Sequence, residues 1–205
     1  MRDEQGNVVS PELFIDTAEE FGLIKDIDMM IIEKAIRVQS RMQKKGKQIS
    51  ISMNLSGKEI GSKELLRFIT EKVSETETTP DSLVFEITET AAIGEFYKVK
   101  SFISHLRSFG FKFSLDDFGV GFASFRYLQN IKVDYIKIDG SFVKKLTVSR
   151  NDRLFVKSIV DVAQGMGIET VAEFVENQAT LEILKEYGVD YAQGYFIGKP
   201  APEIV

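Results

Sequence analysis

The feature that most constrains this chain is its regular alternation between two hydrophobic periods. Strand-like segments lie near residues 48–55, 83–88, 111–117, 135–139, 168–173 and 191–196. Near 60–74, 93–109, 151–165 and 177–187, apolar residues recur three or four apart, the period of an amphipathic helix. Such alternation predicts parallel strands joined by helical crossovers, hence an α/β fold with an open sheet or a closed barrel. Two more helices precede the first strand. Ser10-Pro11-Glu12 predicts an N-cap with proline at the first helical position, and Gly22 a stop. A longer helix runs from about Asp26 to Lys45, with Met29, Ile32, Ile36 and Met42 near one face and Gly46 ending it. Ser74 to Pro80 reads as a solvated loop. No linker divides the sequence, so residues 1–205 are expected to form one domain.

Composition narrows the chemistry. Cysteine is absent, which excludes disulfides, thiolate metal sites and cysteine nucleophiles, and the single histidine, His105, excludes histidine-cluster metal sites. A net charge of −5 is a poor match to a surface that wraps a nucleic-acid polymer. The start has no apolar signal-peptide core, and no uncharged stretch is long enough to span a bilayer. A cytoplasmic domain is expected, without membrane contact of its own, although its parent protein could be membrane-anchored. Its chemistry must come from carboxylates, amides and lysine, with or without a metal ion.

Polar side chains gather at one end of the strands. Asn54 ends the first strand, Glu86 and Glu89 the second, Asp116-Asp117 the third, and Lys137 and Asp139 the fourth. Glu173 and Glu176 end or follow the fifth, and Gln193 lies in the sixth. Parity sharpens the pattern. Asn54 shares a face with Ser50 and Ser52, Glu86 with Val84 and Thr88, and Asp116 with Ser114. The opposite faces carry Ile49, Ile51 and Met53, then Phe85 and Ile87, then Phe113 and Leu115, which helices would cover. Polar C-terminal strand ends are the arrangement of a (β/α)₈ active site. Singly, each residue has a plain structural reading: Asp117 could start the turn at Phe118-Gly119, and Lys137 could be a surface lysine. Together, several carboxylates in one crevice repel one another unless positive charge sits among them. Lys137 supplies one such charge, and oxygen-only ligands favour Mg²⁺ or Mn²⁺ for the rest. Two reaction types suit that site: metal-assisted phosphodiester hydrolysis, and enolate chemistry with a lysine base. Composition and spacing leave both open.

The wording of the motifs is more specific. Met53-Asn54-Leu55-Ser56, Phe85-Glu86-Ile87-Thr88-Glu89, Ser114-Leu115-Asp116-Asp117-Phe118-Gly119, Ile136-Lys137-Ile138-Asp139, Ala172-Glu173-Phe174-Val175-Glu176 and Tyr191-Ala192-Gln193-Gly194-Tyr195 appear in order. Together they resemble the EAL domain family, bacterial phosphodiesterases of the second messenger cyclic di-GMP, and the likeness covers essentially the whole chain. The resemblance implies a TIM-type (β/α)₈ barrel that hydrolyses cyclic di-GMP to linear pGpG. It implies Asn54, Glu86, Asp116 and Asp117 as metal ligands, for two Mg²⁺ or Mn²⁺ ions, with Ca²⁺ inhibiting. Lys137 would orient or activate water, and Glu173 would hold the metal–water network. Gln193 and Asp139 would lie on the substrate side. Glu89 would anchor the loop from Phe118 to Phe125, made permissive by Gly119 and Gly121, with Glu176 nearby. That loop is expected to be mobile and close to a homodimer interface.

The chain also departs from the family's wording. Val120 stands where threonine is usual, and Phe174 and Gly140 where glycine and arginine are common. None removes an oxygen ligand. The Glu-Ala-Leu signature, with the family's first helix and first two strands, is expected upstream of Met1, which makes this an N-terminally incomplete domain of six visible strands. Fusion to, or regulation by, a sensory or GGDEF domain is expected in the parent protein. Other readings are a catalytically inactive EAL-like module that binds cyclic di-GMP or a protein partner, an enolase-like lyase, and a folded fragment without a ligand.

Overall fold

The computed structural model describes residues 4–7, 9–121 and 128–201. Its strands are β1 (Ile51–Asn54), β2 (Leu83–Thr88), β3 (Lys112–Phe118), β4 (Tyr135–Ile138), β5 (Glu169–Ala172) and β6 (Tyr191–Ala192). Among the described residues they form one sheet in the order β1-β2-β3-β4-β5-β6, with every pairing parallel. Sequential parallel pairing requires the chain to cross back after each strand. Among the described residues, α1 (Ile15–Glu20) and α2 (Ile24–Lys44) precede β1; α3 (Lys63–Thr76) joins β1 to β2, α4 (Glu89–Gly94) and α5 (Phe96–Ser108) join β2 to β3, α6 (Gly140–Val143) and α7 (Arg150–Met166) join β4 to β5, and α8 (Gln178–Tyr187) joins β5 to β6.

The sheet is rolled. Laid flat, six strands would separate the first from the last by about 24 Å. Here Ser50 and Ser52, in and beside β1, and Tyr191 and Gln193, in and beside β6, line one cavity of about 210 Å³. Val84, Glu86, Ser114, Tyr135, Lys137 and Val171 complete its lining, the inward parity expected from the sequence. The residues between them point outward and build the core with the helices. Phe85 packs on Phe111 and Phe113 at centroid distances of 5.6 and 5.7 Å, and Phe102 of α5 meets Phe113 edge-on. Phe85 and Phe113 are fully buried, so truncating either to alanine is expected to cost about 3–5 kcal/mol.

Local chemistry sets the helix starts. Ser62, Ser149 and Asn177 each accept a backbone N–H from the first turn of α3, α7 and α8. Pro11 takes the first helical position as expected, but the turn it opens is a 3-10 helix, Pro11–Leu13, and Ser10 makes no side-chain cap. Other boundaries also move. β1 begins at Ile51 because its ladder starts opposite Leu83, the first residue of β2. β6 is short because β5 stops at Ala172, before Phe174 turns left-handed. The helix expected near 93–109 is two, broken at Glu95, whose backbone (φ −123°, ψ 42°) is non-helical. Ser114, on the same face as Asp116, is buried.

Candidate active site

The C-terminal strand ends converge on one ammonium group. Lys137 points inward from β4 and is 5% exposed. Its Nζ lies 3.0 Å from Glu86 Oε2 on β2, 2.9 Å from Asp116 Oδ1 on β3 and 2.8 Å from Glu173 Oε1 after β5. Register explains the convergence: Glu86 lies opposite Ser114, two residues before Asp116 on the same face, and Lys137 lies opposite Val171, two before Glu173. Asn54 is opposite Glu86 at the end of β1, which places it on the rim of the same cluster.

Two irregularities aim the carboxylates. The β3–β4 register shifts between Leu115 and Phe118, a bulge of the kind that re-aims side chains near active sites. Inside it Asp117 has φ 56°, and its N–H donates to Asp116 Oδ1 at 3.0 Å. Phe174, next to Glu173, has φ 51°. As a result one oxygen from each of Asp116, Asp117 and Glu173 lies within 4.8 Å of the other two. Glu173 thus joins the oxygen cluster expected for metal binding. Glu86 is outside that group of three and is linked to it through Lys137 Nζ.

The electrostatics leave the cluster short of positive charge. Burial alone would lower the Lys137 pKa, but Glu86, Glu173 and Asp116 outweigh it and raise it above the ordinary lysine value. The group is an ammonium, a donor and not a base, at any neutral pH. Burial pushes the Glu173 carboxyl up, and Asp116 and Asp117 add to this against the pull of Lys137. Asp117 is also raised, by burial and then by the charges of Asp116 and Asp139. One ammonium therefore faces Glu86, Asp116, Asp117 and Glu173. An all-oxygen donor set with excess negative charge fits a hard divalent cation.

The other expected residues have definite places. Glu89 opens α4, is 2% exposed and accepts the Gly119 N–H at 2.8 Å. Gly119 has φ 105°, a region open to glycine, and a Cβ on Gly121 would lie 2.5 Å from Glu89 Oε1. Glu89 therefore anchors the start of the loop. Residues 122–125 of the expected mobile loop lie outside the described residues. Asp139 caps α6, accepting the Ser141 N–H at 2.8 Å, a short helix the sequence pattern did not show. Gln193 and Glu176 line a second cavity of about 660 Å³ with Glu173, Phe174, Tyr195 and Lys199.

One supporting residue escaped the sequence reading. Asp28 of α2 is 5% exposed and accepts the Ser56 N–H at 3.1 Å, fixing the turn after Asn54. Its signal was present: Ile24, Asp28, Ile32 and Ile36 recur every four residues, so an acidic side chain interrupts a buried stripe.

The profile of the EAL domain family matches residues 1–200. The cyclic di-GMP phosphodiesterase PdeB of Shewanella oneidensis is 45% identical over 197 residues, covering 96% of this chain and 23% of that protein. The cyclic di-GMP phosphodiesterase PdeF of Escherichia coli is 33% identical over 204 residues, covering 100% of this chain and 27% of that protein. The chain thus spans about a quarter of the length of these curated relatives. Among solved structures, the PaMucR phosphodiesterase in complex with c-di-GMP superposes with a TM-score of 0.92 at 29% identity, covering 98% of this chain and 82% of that one. The FimX EAL domain from Pseudomonas aeruginosa, bound to c-di-GMP, gives 0.92 at 27% identity, covering 98% and 81%. Both are TIM-like barrels in the sense expected from the strand pattern. No helix among the described residues is long and apolar enough to cross a membrane.

Proposed function

Because this chain belongs to the EAL domain family, we propose that it carries the catalytic site of a metal-dependent phosphodiesterase that hydrolyses cyclic di-GMP to linear pGpG. The observation that carries the reading is the Lys137 cluster, a buried ammonium within 3.0 Å of carboxylates on β2, on β3 and just after β5. Asp116, Asp117 and Glu173 present oxygens close enough to share a cation, with Glu86 and Asn54 beside them. Mg²⁺ or Mn²⁺ suits these ligands, as a pair of ions, and Ca²⁺ would occupy the site without supporting turnover. A bound divalent ion supplies Lewis acidity toward a phosphoryl oxygen.

The chain's own groups divide the remaining work. Lys137 stays protonated, so it orients the attacking water and the Glu173 carboxylate by donating hydrogen bonds. Glu173, 2.8 Å from that ammonium and beside the Asp116 and Asp117 oxygens, is suited to hold and position that water. Glu89 ties the loop after β3 to the cluster through Gly119. Gln193 borders both cavities, a position suited to contacting the dinucleotide. We place the activity in the bacterial cytoplasm, in a longer protein with a sensory or GGDEF regulator and as a homodimer.

The test is hydrolysis of cyclic di-GMP by the full-length protein with Mn²⁺, with Mg²⁺ and with chelator. Metal-dependent release of pGpG supports the reading. Tight binding without release under any metal would assign the chain to the other class, a binding module that signals through a partner.

A further inference from the structure

Phe174 is an outlier that the proposed chemistry does not use. A bulky aromatic residue at φ 51° is held in a region that favours glycine, and such strain persists only where the surroundings over-determine it. Two contacts hold it. A Cβ on Gly140 would lie 2.1 Å from Phe174 Cδ2 and 2.7 Å from Cγ, so the ring fills the space that any other side chain at 140 would need. The Gly140 backbone is not among those with positive φ, which makes its requirement for glycine steric and assigns it to the ring. Lys144 Nζ then sits 3.9 Å from the ring centroid.

The ring is not a core residue. It is 50% exposed and lines the cavity of about 660 Å³ directly beside Glu173. Tyr195 lines the same cavity, also exposed, with Lys199 Nζ 5.7 Å from its ring centroid. Exposed aromatic faces backed by lysines, in a cavity large enough for a nucleotide, suit a planar base carrying a phosphate.

We propose that Phe174 is a specificity-determining residue, its ring stacking on a purine base of the cyclic dinucleotide, and that Gly140 is its obligate partner. The proposal rests on the phosphodiesterase reading for its substrate; the Phe174–Gly140 coupling does not.

The test is a double-mutant cycle in the full-length protein, read in KM, kcat and thermal midpoint. Phe174→Gly is compatible with the backbone and should fold; it should raise KM for cyclic di-GMP about 5- to 150-fold, the factor expected for one lost stack, with kcat changed only a few-fold. Phe174→Tyr keeps the ring and should keep the wild-type KM. Gly140→Ala should lower the thermal midpoint and raise KM by displacing the ring. Adding Phe174→Gly to it should restore the midpoint and leave KM at the Phe174→Gly value. An unchanged KM in Phe174→Gly overturns the stacking role, and additive thermal losses overturn the coupling. If the wild-type protein hydrolyses nothing, the phosphodiesterase reading fails and the stacking role falls with it, while the thermal cycle still decides the coupling.

Discussion

Lys137 Nζ and Glu173 Oε1 lie 2.8 Å apart, a buried charge-assisted hydrogen bond between neighbouring strands. Glu86 and Asp116 touch the same ammonium, so removing it leaves two buried carboxylates and the half-buried Glu86 without their shared counter-charge. In Lys137→Ala, turnover is expected to fall by about a hundredfold or more, as for loss of a preorganised hydrogen-bond donor. Cyclic di-GMP binding measured with Ca²⁺ should change only a few-fold. Normal turnover in this variant would remove Lys137 from the mechanism.

Metal affinity should follow the oxygen cluster. Asp116→Asn is expected to weaken Mn²⁺ binding by roughly 10-fold or more, because it removes a charge shared with Asp117 and Glu173. Glu176→Gln, at an exposed position on the neighbouring cavity, should leave affinity within about two-fold, by analogy with weak surface electrostatics. Titration calorimetry on both variants checks this, and equal affinities contradict the assignment.

Asp28 sets a pH dependence whose sign can be worked out. Burial, with the charges of Glu59 and Glu19, raises its pKa from 3.8 to about 6, opposed by the Ser56 N–H. The folded state therefore binds this proton more tightly than the unfolded chain does. Its contribution favours folding below about pH 4, declines as pH rises toward 6 and remains a penalty above that. Asp28→Asn keeps an acceptor for Ser56 and removes the penalty, on the order of 1–3 kcal/mol at pH 7. The variant should melt higher than wild type at pH 7, by about 2–12 °C. Its advantage should vanish near pH 4; an advantage that does not change with pH would contradict the account.

Glu89 is expected to govern order at the start of the β3 loop. Glu89→Ala removes the acceptor of the Gly119 N–H, and hydrogen exchange at Gly119 should quicken by roughly 10-fold, as for about 1.4 kcal/mol of lost protection. Glu89→Gln retains an acceptor oxygen and should lie between the alanine variant and wild type. Identical exchange in all three would show that the loop is held by other contacts.

Much of this architecture was legible in the sequence for a physical reason. A strand has a two-residue period, so residue parity alone separated Phe85, Ile87, Phe113 and Leu115 from Glu86, Ser114 and Asp116. What parity does not carry is backbone irregularity. The bulge at Leu115–Phe118 and the left-handed Asp117 accompany the approach of Asp116, Asp117 and Glu173, a grouping with Glu173 that parity does not show. The capping role of Asp139 was not legible because α6 is only four residues long, too short to register as a period. Phe174 and Gly140 stood out in the sequence only as separate departures; their pairing exists only in three dimensions.

The central claim is that this site cleaves a cyclic dinucleotide with the help of bound cations. Chromatography of cyclic di-GMP incubated with the full-length protein tests it most directly. The account predicts stoichiometric conversion to pGpG with Mn²⁺ or Mg²⁺, none with chelator, and none with Asp116→Asn at metal concentrations that saturate the wild type. Conversion that persists undiminished in chelator, or in Asp116→Asn, would contradict it.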